Sequence, residues 1–404
     1  MDHGQWTEPE MKYYLSLDGL RGVAVGIVLL AHAGVPGIRS GGAGVDIFFT
    51  LSGFLISSIL LAELDRFRSI RLHHFYIRRF LRLLPCLWLT LAAVLIVWGA
   101  AGRLDAVLRD VICSGTYTIN WFRAAGQFGR GPLSHAWTLA IEEQYYLLWP
   151  LVLGVLCRNP NRRMAQGGCL LAAALVVVVY RCAMLDVFSR DRIHYGLDTH
   201  ADPLLIGSAL ACFLSAQSRE MPLSVSRALG WLIAPLAAVG IVVVVTTWAW
   251  GEGGVALMIG YPVVGIATAL ILLDCVAGEH SLLRAALEWL VLVWVGRISY
   301  GIYLVHLPIF LGLRSIGLNN WPYLIALGVP ATLGVSALSY YGVERYCLRL
   351  KRYFAPGARS SGTGADLPEP SSTAESAKVL SALVRTGSRA SRMAAGSVKV
   401  RPSA

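Results

Sequence analysis

Apolar residues run in long blocks separated by short polar turns, and block length sets the element type. A helix that crosses a bilayer needs about 20 mostly apolar residues. Ten stretches follow that pattern, at roughly 15–34, 43–62, 81–100, 136–156, 168–185, 202–216, 229–250, 255–275, 291–314 and 321–347. Those at 168–185 and 202–216 are the shortest, and Arg297 interrupts the ninth. The pattern predicts an all-α, polytopic membrane protein with about ten transmembrane helices. A porin-type barrel would instead show short strands of alternating polarity.

Composition agrees. The chain is 56% hydrophobic and 15% charged, with a mean hydropathy of +0.59. Soluble domains carry about 25% charged residues. These values exclude a soluble enzyme, a nucleic-acid-binding domain and a disulfide-stapled secreted module. Eight cysteines are scattered without a CxxC pair, so neither a metal site nor a disulfide framework is expected. The start, MDHGQWTEPEMKYY, is polar and acidic, unlike the basic front of a cleavable signal.

The net charge of +11 acquires a meaning in this setting. Excess Lys and Arg mark cytoplasmic loops. Arg66, Arg68, Arg71, Arg78 and Arg79 follow span two; Arg158, Arg162 and Arg163 follow span four; Arg345, Arg349, Lys351 and Arg352 end span ten. All three groups fall on the side of the N-terminus, so both termini are expected in the cytoplasm, at the inner or plasma membrane. The opposite loops still carry Arg103, Arg109, Arg123, Arg130, Arg190 and Arg192. The chain divides into a cytoplasmic segment 1–13, a transmembrane domain 14–354 and a basic, low-complexity, disordered cytoplasmic tail 355–404. Within the tail, Lys378, Arg385, Arg389 and Arg392 interleave with Val379, Leu380, Leu383 and Val384, as either a solvated tail or a lipid-surface helix.

Ionisable groups at membrane depth are costly and are candidates for function. In span one, Arg21 and His32 stand eleven residues apart, which places them on one helix face and about 16 Å apart along the axis. Gly22 and Gly26 form a GxxxG packing motif. Asp46, in GGAGVDIFFTLSGFLI, enters at the depth of His32 and either orients that imidazole or caps the helix. His135, Thr138, Glu142, Tyr145 and Trp149 fall at spacings of three and four, forming one face of span four. Glu143 points about 100° away. Two adjacent carboxylates in an apolar helix suit proton transfer or pairing with arginine. In span nine, Arg297 and His306 repeat the order of Arg21 and His32. Basic groups thus collect toward the cytoplasm (Arg21, Arg78, Arg79, Arg82, Arg297), and His32, Asp46, Glu142 and His306 collect in the outer half. A phosphate-bearing donor on the arginine side and an acceptor from outside would meet between them. P-loop, HExxH and GxSxG motifs are absent.

These segments, in this order, resemble the acyltransferase-3 family of integral membrane O-acyltransferases. The resemblance rests on SLDGLRGVAV with Arg21 and His32, GVDIFFTLSGFLI, FYIRRFLRLLP, SHAWTLAIEEQYYLLWP, THADPLLIGSALA and ISYGIYLVHLP, across residues 14–348. Where many members carry WSL, this chain has Trp137, Thr138 and Leu139, which keeps a hydroxyl. Many members append an esterase-like SGNH domain, and here the C-terminal stretch reads as the tail alone. The resemblance implies transfer of an acyl group, acetyl in most members, from acyl-CoA to a hydroxyl of a carbohydrate or glycolipid. Acyl-CoA is then a co-substrate rather than a bound cofactor, and the partners are that donor, the glycan acceptor and membrane lipid, without nucleic acid. On this reading Arg21, Arg78, Arg79 and Arg82 hold donor phosphates. His32 is the general base or the first acyl acceptor, and Glu142 or Asp46 orients it. His135, Glu143, Arg297 and His306 support the site. The competing expectation is a proton-coupled transporter of an acidic sugar or small anion using the same residues. Matching broken helices and internal symmetry, the marks of such transporters, are not seen.

Overall fold

The computed structural model describes residues 14–127, 131–216, 222–248, 254–278 and 281–350. Residues 1–13 and 351–404, and with them the expected N-terminal segment and the whole of the expected tail, lie outside the described residues. Among the described residues, each of the ten predicted stretches is mostly helical. Seven of the described helices are long and apolar enough to cross a membrane, and an eighth is added by one bent pair. The two remaining stretches are Trp137–Leu156, made more polar by its Glu-Glu-Gln-Tyr-Tyr run, and Asp202–Ala216, which has only 15 residues.

Helix α1 (Leu15–Ala33) ends at Gly34, whose φ of 79° turns the chain so that its N–H reaches the Ala31 carbonyl. A side chain there would be strained, which is why glycine closes such helices. This stop places His32 in the last turn. Helix α2 (Gly42–Phe67) runs back beside it. Helix α3 spans Leu72–Ala100 and starts nine residues earlier than the apolar block suggested. Arg78 and Arg79 are therefore helical residues rather than loop residues, because Ile77, Leu81 and Leu84, at spacings of four and three, give the segment an apolar face despite its arginines.

Two short helices, α4 (Leu104–Gly115) and α5 (Ile119–Ala124), lead to a single 3₁₀ turn at Ser134–Ala136 and then to α6 (Trp137–Leu156). Helix α7 (Arg163–Ala183) is followed by α8 (Arg190–Tyr195), α9 (Leu197–His200) and α10 (Asp202–Ala216). Helices α2 and α10 touch backbone to backbone. A Cβ at Gly53 would overlap the Leu204 carbonyl, and one at Gly207 would overlap the Thr50 carbonyl. Small residues permit such approaches in membranes, where packing rather than water expulsion joins helices. Of the GxxxG pair in α1, Gly22 abuts the Leu292 carbonyl, whereas Gly26 has nothing within 4 Å.

Helices α11 (Leu223–Thr247) and α12 (Gly254–Ala277) form a further pair. The predicted interruption at Arg297 is a sharp bend. Helix α13 (Leu290–Arg297) and helix α14 (Ser299–Ser315) meet at 73°. The last helix, α15, spans Trp321–Leu350. Ile96, Val155 and Leu338 are 70%, 80% and 77% exposed, as expected of side chains that face lipid. Asp46, His135, Thr138 and His306 are buried instead, whereas Arg297 is exposed.

Candidate active site

Helices α1, α2, α3, α6 and α14 surround a cavity of about 610 Å³. Arg21, Arg79 and Arg82 line it, together with Ser52, Thr138, Glu142 and Tyr303. The arginines differ in how they are held. Arg21 pairs with Asp18 at 3.1 Å, and Arg297 approaches the other oxygen of the same carboxylate at 3.7 Å. Arg79 gives Nε–H and Nη2–H to Glu143 Oε1 at 3.1 and 3.0 Å and lies 3.6 Å above the Tyr146 ring. Arg82 makes no hydrogen bond or ion pair among the described residues and is exposed to the cavity. It feels the like charges of Arg21 and Arg79. A guanidinium without a hydrogen-bonded partner, beside two others, is chemically suited to bind an anion. Arg78 lies about 100° around the helix from Arg79 and pairs with Glu63 at 3.4 Å, off the cavity wall.

Glu142 accepts a hydrogen bond from Ser52 at 2.5 Å, tying α6 to α2. Its stripe faces inward as predicted. The Tyr145 hydroxyl meets Ser208 at 2.8 Å, the Trp149 indole donates to Ser57 at 2.8 Å, and Thr138 meets the Tyr303 hydroxyl at 2.6 Å.

Behind Thr138 and Tyr303 stand three imidazoles. His32 Nδ1 lies 3.0 Å from the Val28 carbonyl and 3.3 Å from His306 Nε2. The rings of His32 and His306 are 4.9 Å apart, as are those of His306 and His135. Tyr303 donates to the His135 carbonyl at 2.8 Å, which links this cluster to the cavity wall. Arg314 donates to the His32 backbone carbonyl at 2.8 Å and makes no hydrogen bond to the imidazole. His32 is half-buried and its Nε2 has no partner among the described residues.

Neither carboxylate expected to orient His32 does so. Asp46 Oδ1 lies 2.8 Å from His200 Nε2, deep between α2 and α9. It does not cap α2 either, because the helix starts four residues earlier at Gly42. Glu142 sits on α6, whereas His135 belongs to the 3₁₀ turn before it, seven residues away, and no contact joins Glu142 to His32. His32 meets the cluster through His306 instead.

Several residues of this interior were not singled out from the sequence. His200 stacks on Tyr261 at 3.7 Å, and its Nδ1–H donates to the His194 carbonyl at 2.9 Å. Beside it, Arg181 and Asp202 form a fully buried bidentate pair at 2.7 and 3.1 Å. Arg181 interrupts an apolar block and was in principle visible. Tyr303 and Ser52 carry no such mark, since hydroxyls are common in membrane helices. Among the described residues no group of three or more His, Cys, Asp or Glu could hold a metal ion.

The fold and the site define a multi-pass membrane protein that buries an arginine-lined cavity against a histidine cluster. An acyltransferase-domain family model matches residues 14–341, and the chain belongs to that family, the acyltransferase-3 membrane O-acyltransferases. It is 33% identical over 354 residues to the putative peptidoglycan O-acetyltransferase YrhL of Bacillus subtilis, covering 83% of this chain and 55% of that one. It is 33% identical over 363 residues to the peptidoglycan O-acetyltransferase OatA of Listeria monocytogenes, covering 84% and 56%. A putative O-acetyltransferase of Staphylococcus aureus, SACOL0978, is 29% identical over 363 residues, covering 83% and 57%. The chain thus spans about half the length of the curated relatives it matches. No solved structure matches it significantly.

Proposed function

We propose that this protein transfers an acetyl group from acetyl-CoA to a hydroxyl of a cell-envelope glycan, with peptidoglycan, the acceptor in the names of its relatives, as the first substrate to test. One observation carries the reading: a single cavity holds the unpaired Arg82 beside Arg21 and Arg79, and its wall of Thr138 and Tyr303 backs onto His32, His306 and His135.

On this reading the arginines hold the donor's phosphates from the cytoplasmic side. That orientation, with ten spans and both termini inside, rests on the arginine bias. The transmembrane domain 14–354 would carry the chemistry, and the segments 1–13 and 355–404 would not. His32 removes the proton from the acceptor hydroxyl as its oxygen attacks the thioester carbonyl. A carbon–oxygen bond forms, the carbon–sulfur bond breaks, and the proton passes from His32 to the leaving thiolate. Glu142 serves the donor end, where it fixes Ser52 and offsets part of the arginine charge. Arg78 and Arg297 steady the acidic residues around the arginines rather than contact the donor.

The test is purified protein in nanodiscs with isotopically labelled acetyl-CoA and muropeptide acceptors. Ester-linked label and free CoA should appear in equal amounts. A proton-coupled transporter would move solute without releasing CoA.

A further inference from the structure

The three imidazoles are held by different acceptors, and those acceptors fix where each proton sits. Hydrogen positions follow from the partners, because a carbonyl oxygen only accepts. His306 Nδ1 lies 2.7 Å from the Tyr303 carbonyl and 3.2 Å from the Ile302 carbonyl. That nitrogen carries hydrogen, and in the neutral ring Nε2 is then a bare lone pair. His32 Nδ1 faces the Val28 carbonyl at 3.0 Å and the lone pair of His306 at 3.3 Å. Both neighbours accept, so His32 Nδ1 carries hydrogen and is shared between them. The remaining nitrogen of His32, Nε2, is unprotonated and has no partner among the described residues. His135 does not compete. Its Nε2 faces the Leu304 carbonyl at 3.2 Å, so its proton is committed elsewhere, and it meets His306 edge to face.

We infer that His306 is the positioning residue for His32: its Nε2 accepts the Nδ1–H of His32, which holds the other nitrogen of His32 bare for the acceptor's proton. The arrangement does with a neutral imidazole what a carboxylate does in many base-assisted acyl transfers. It suits a buried site, because an ion beside His32 would carry a desolvation cost that an imidazole avoids. When His32 takes the hydroxyl proton on Nε2, the Nδ1–H···Nε2 bond to His306 strengthens and spreads the new charge. The proton then leaves from the same Nε2 to the thiolate, and both rings return to their starting tautomers. His306 never contacts the substrate. Its position one turn beyond Tyr303 on α14 also links it to the cavity wall, since Tyr303 supplies its carbonyl anchor and lines the cavity.

The inference rests on the transfer reading above, and the experiment separates the two. First, protein labelled with ¹⁵N-histidine is examined by solid-state NMR in lipid, with His32→Gln used to assign the signals. The expected result is a neutral His32 protonated at Nδ1, with a hydrogen-bond coupling to a His306 nitrogen. A His32 protonated at Nε2 would overturn the inference, whether or not the protein transfers acetyl groups. Second, turnover is compared for His306→Asn and His306→Gln. The glutamine amide reaches the position of the imidazole Nε2 and can still accept, whereas the asparagine amide stops one bond short. His306→Asn should lose on the order of 10²-fold in kcat with the donor KM unchanged, and His306→Gln should recover most of it. Equal losses in both variants at equal abundance, or a loss confined to KM, would reject a positioning role. If the wild-type protein has no transferase activity while the NMR result stands, the transfer reading fails and the tautomer assignment survives.

Discussion

Ser52 on α2 and Glu142 on α6 stand 2.5 Å apart on the wall of the arginine-lined cavity, and no contact joins Glu142 to His32. The two groups therefore serve different parts of the site. Glu142→Gln keeps an acceptor for the Ser52 hydroxyl and removes only charge. Turnover should fall less than about tenfold, well short of the loss expected for removing a general base. Steady-state kinetics on Glu142→Gln beside His32→Ala checks this. A Glu142→Gln protein as inactive as His32→Ala would place the carboxylate in the proton path.

Arg82 and Arg79 line one cavity but differ in what their loss leaves behind. Arg82 has no protein partner among the described residues, so Arg82→Ala should leave membrane abundance unchanged. It should weaken donor binding by about 1.5–3 kcal/mol, the range for a charged hydrogen bond. Arg79→Ala strands Glu143 inside the bundle, and unpaired buried charges are costly. Its folded yield should drop along with donor affinity. Acetyl-CoA titrations combined with immunoblots of membrane fractions separate these effects.

The buried Arg181–Asp202 pair makes a purely structural prediction. Arg181→Met alone leaves Asp202 uncompensated and should destabilise by roughly 3–5 kcal/mol. The double variant Arg181→Met, Asp202→Leu should recover much of that loss. Thermal unfolding in detergent measures both. Asp46→Asn, which perturbs the neighbouring contact to His200, should likewise lower stability more than turnover per folded molecule. A selective collapse of turnover would return Asp46 to the catalytic machinery.

The helices were legible because a bilayer demands long apolar blocks, and even the break at Arg297 showed as an interruption. Helix ends were harder to read. The arginine-rich start of α3 resembled a loop because its apolar face alternates with Arg78, Arg79 and Arg82. In the site, residues were recognised better than partnerships. Helix periodicity placed His135, Thr138 and Glu142 on one face; the structure keeps Thr138 and Glu142 together on the cavity wall and puts His135 in the 3₁₀ turn before α6, against the Leu304 carbonyl. Periodicity could not show that Asp46 meets His200 or that His32 meets His306, since each contact joins helices more than 150 residues apart in the chain. Depth matching proposed the nearest acidic residue, whereas the packing of α14 against α1 supplied an imidazole.

The orientation proposed from the arginine bias has its own check. Alkaline phosphatase fused after residue 355 should be inactive, and a fluorescent protein there should fluoresce. Active phosphatase would invert the site, placing His32 at the cytoplasmic face and the arginines outside.

On the proposed function, His32 is the base of an acetyl transfer whose donor is held by the arginines. That role is tested most directly by CoA release from purified His32→Ala and wild-type proteins across a wide range of acetyl-CoA, with a glycan acceptor present. His32→Ala should fold normally and lose at least about 10²-fold in turnover, and no donor concentration should restore it. A His32→Ala protein that turns over normally, or one rescued by high acetyl-CoA, would contradict it.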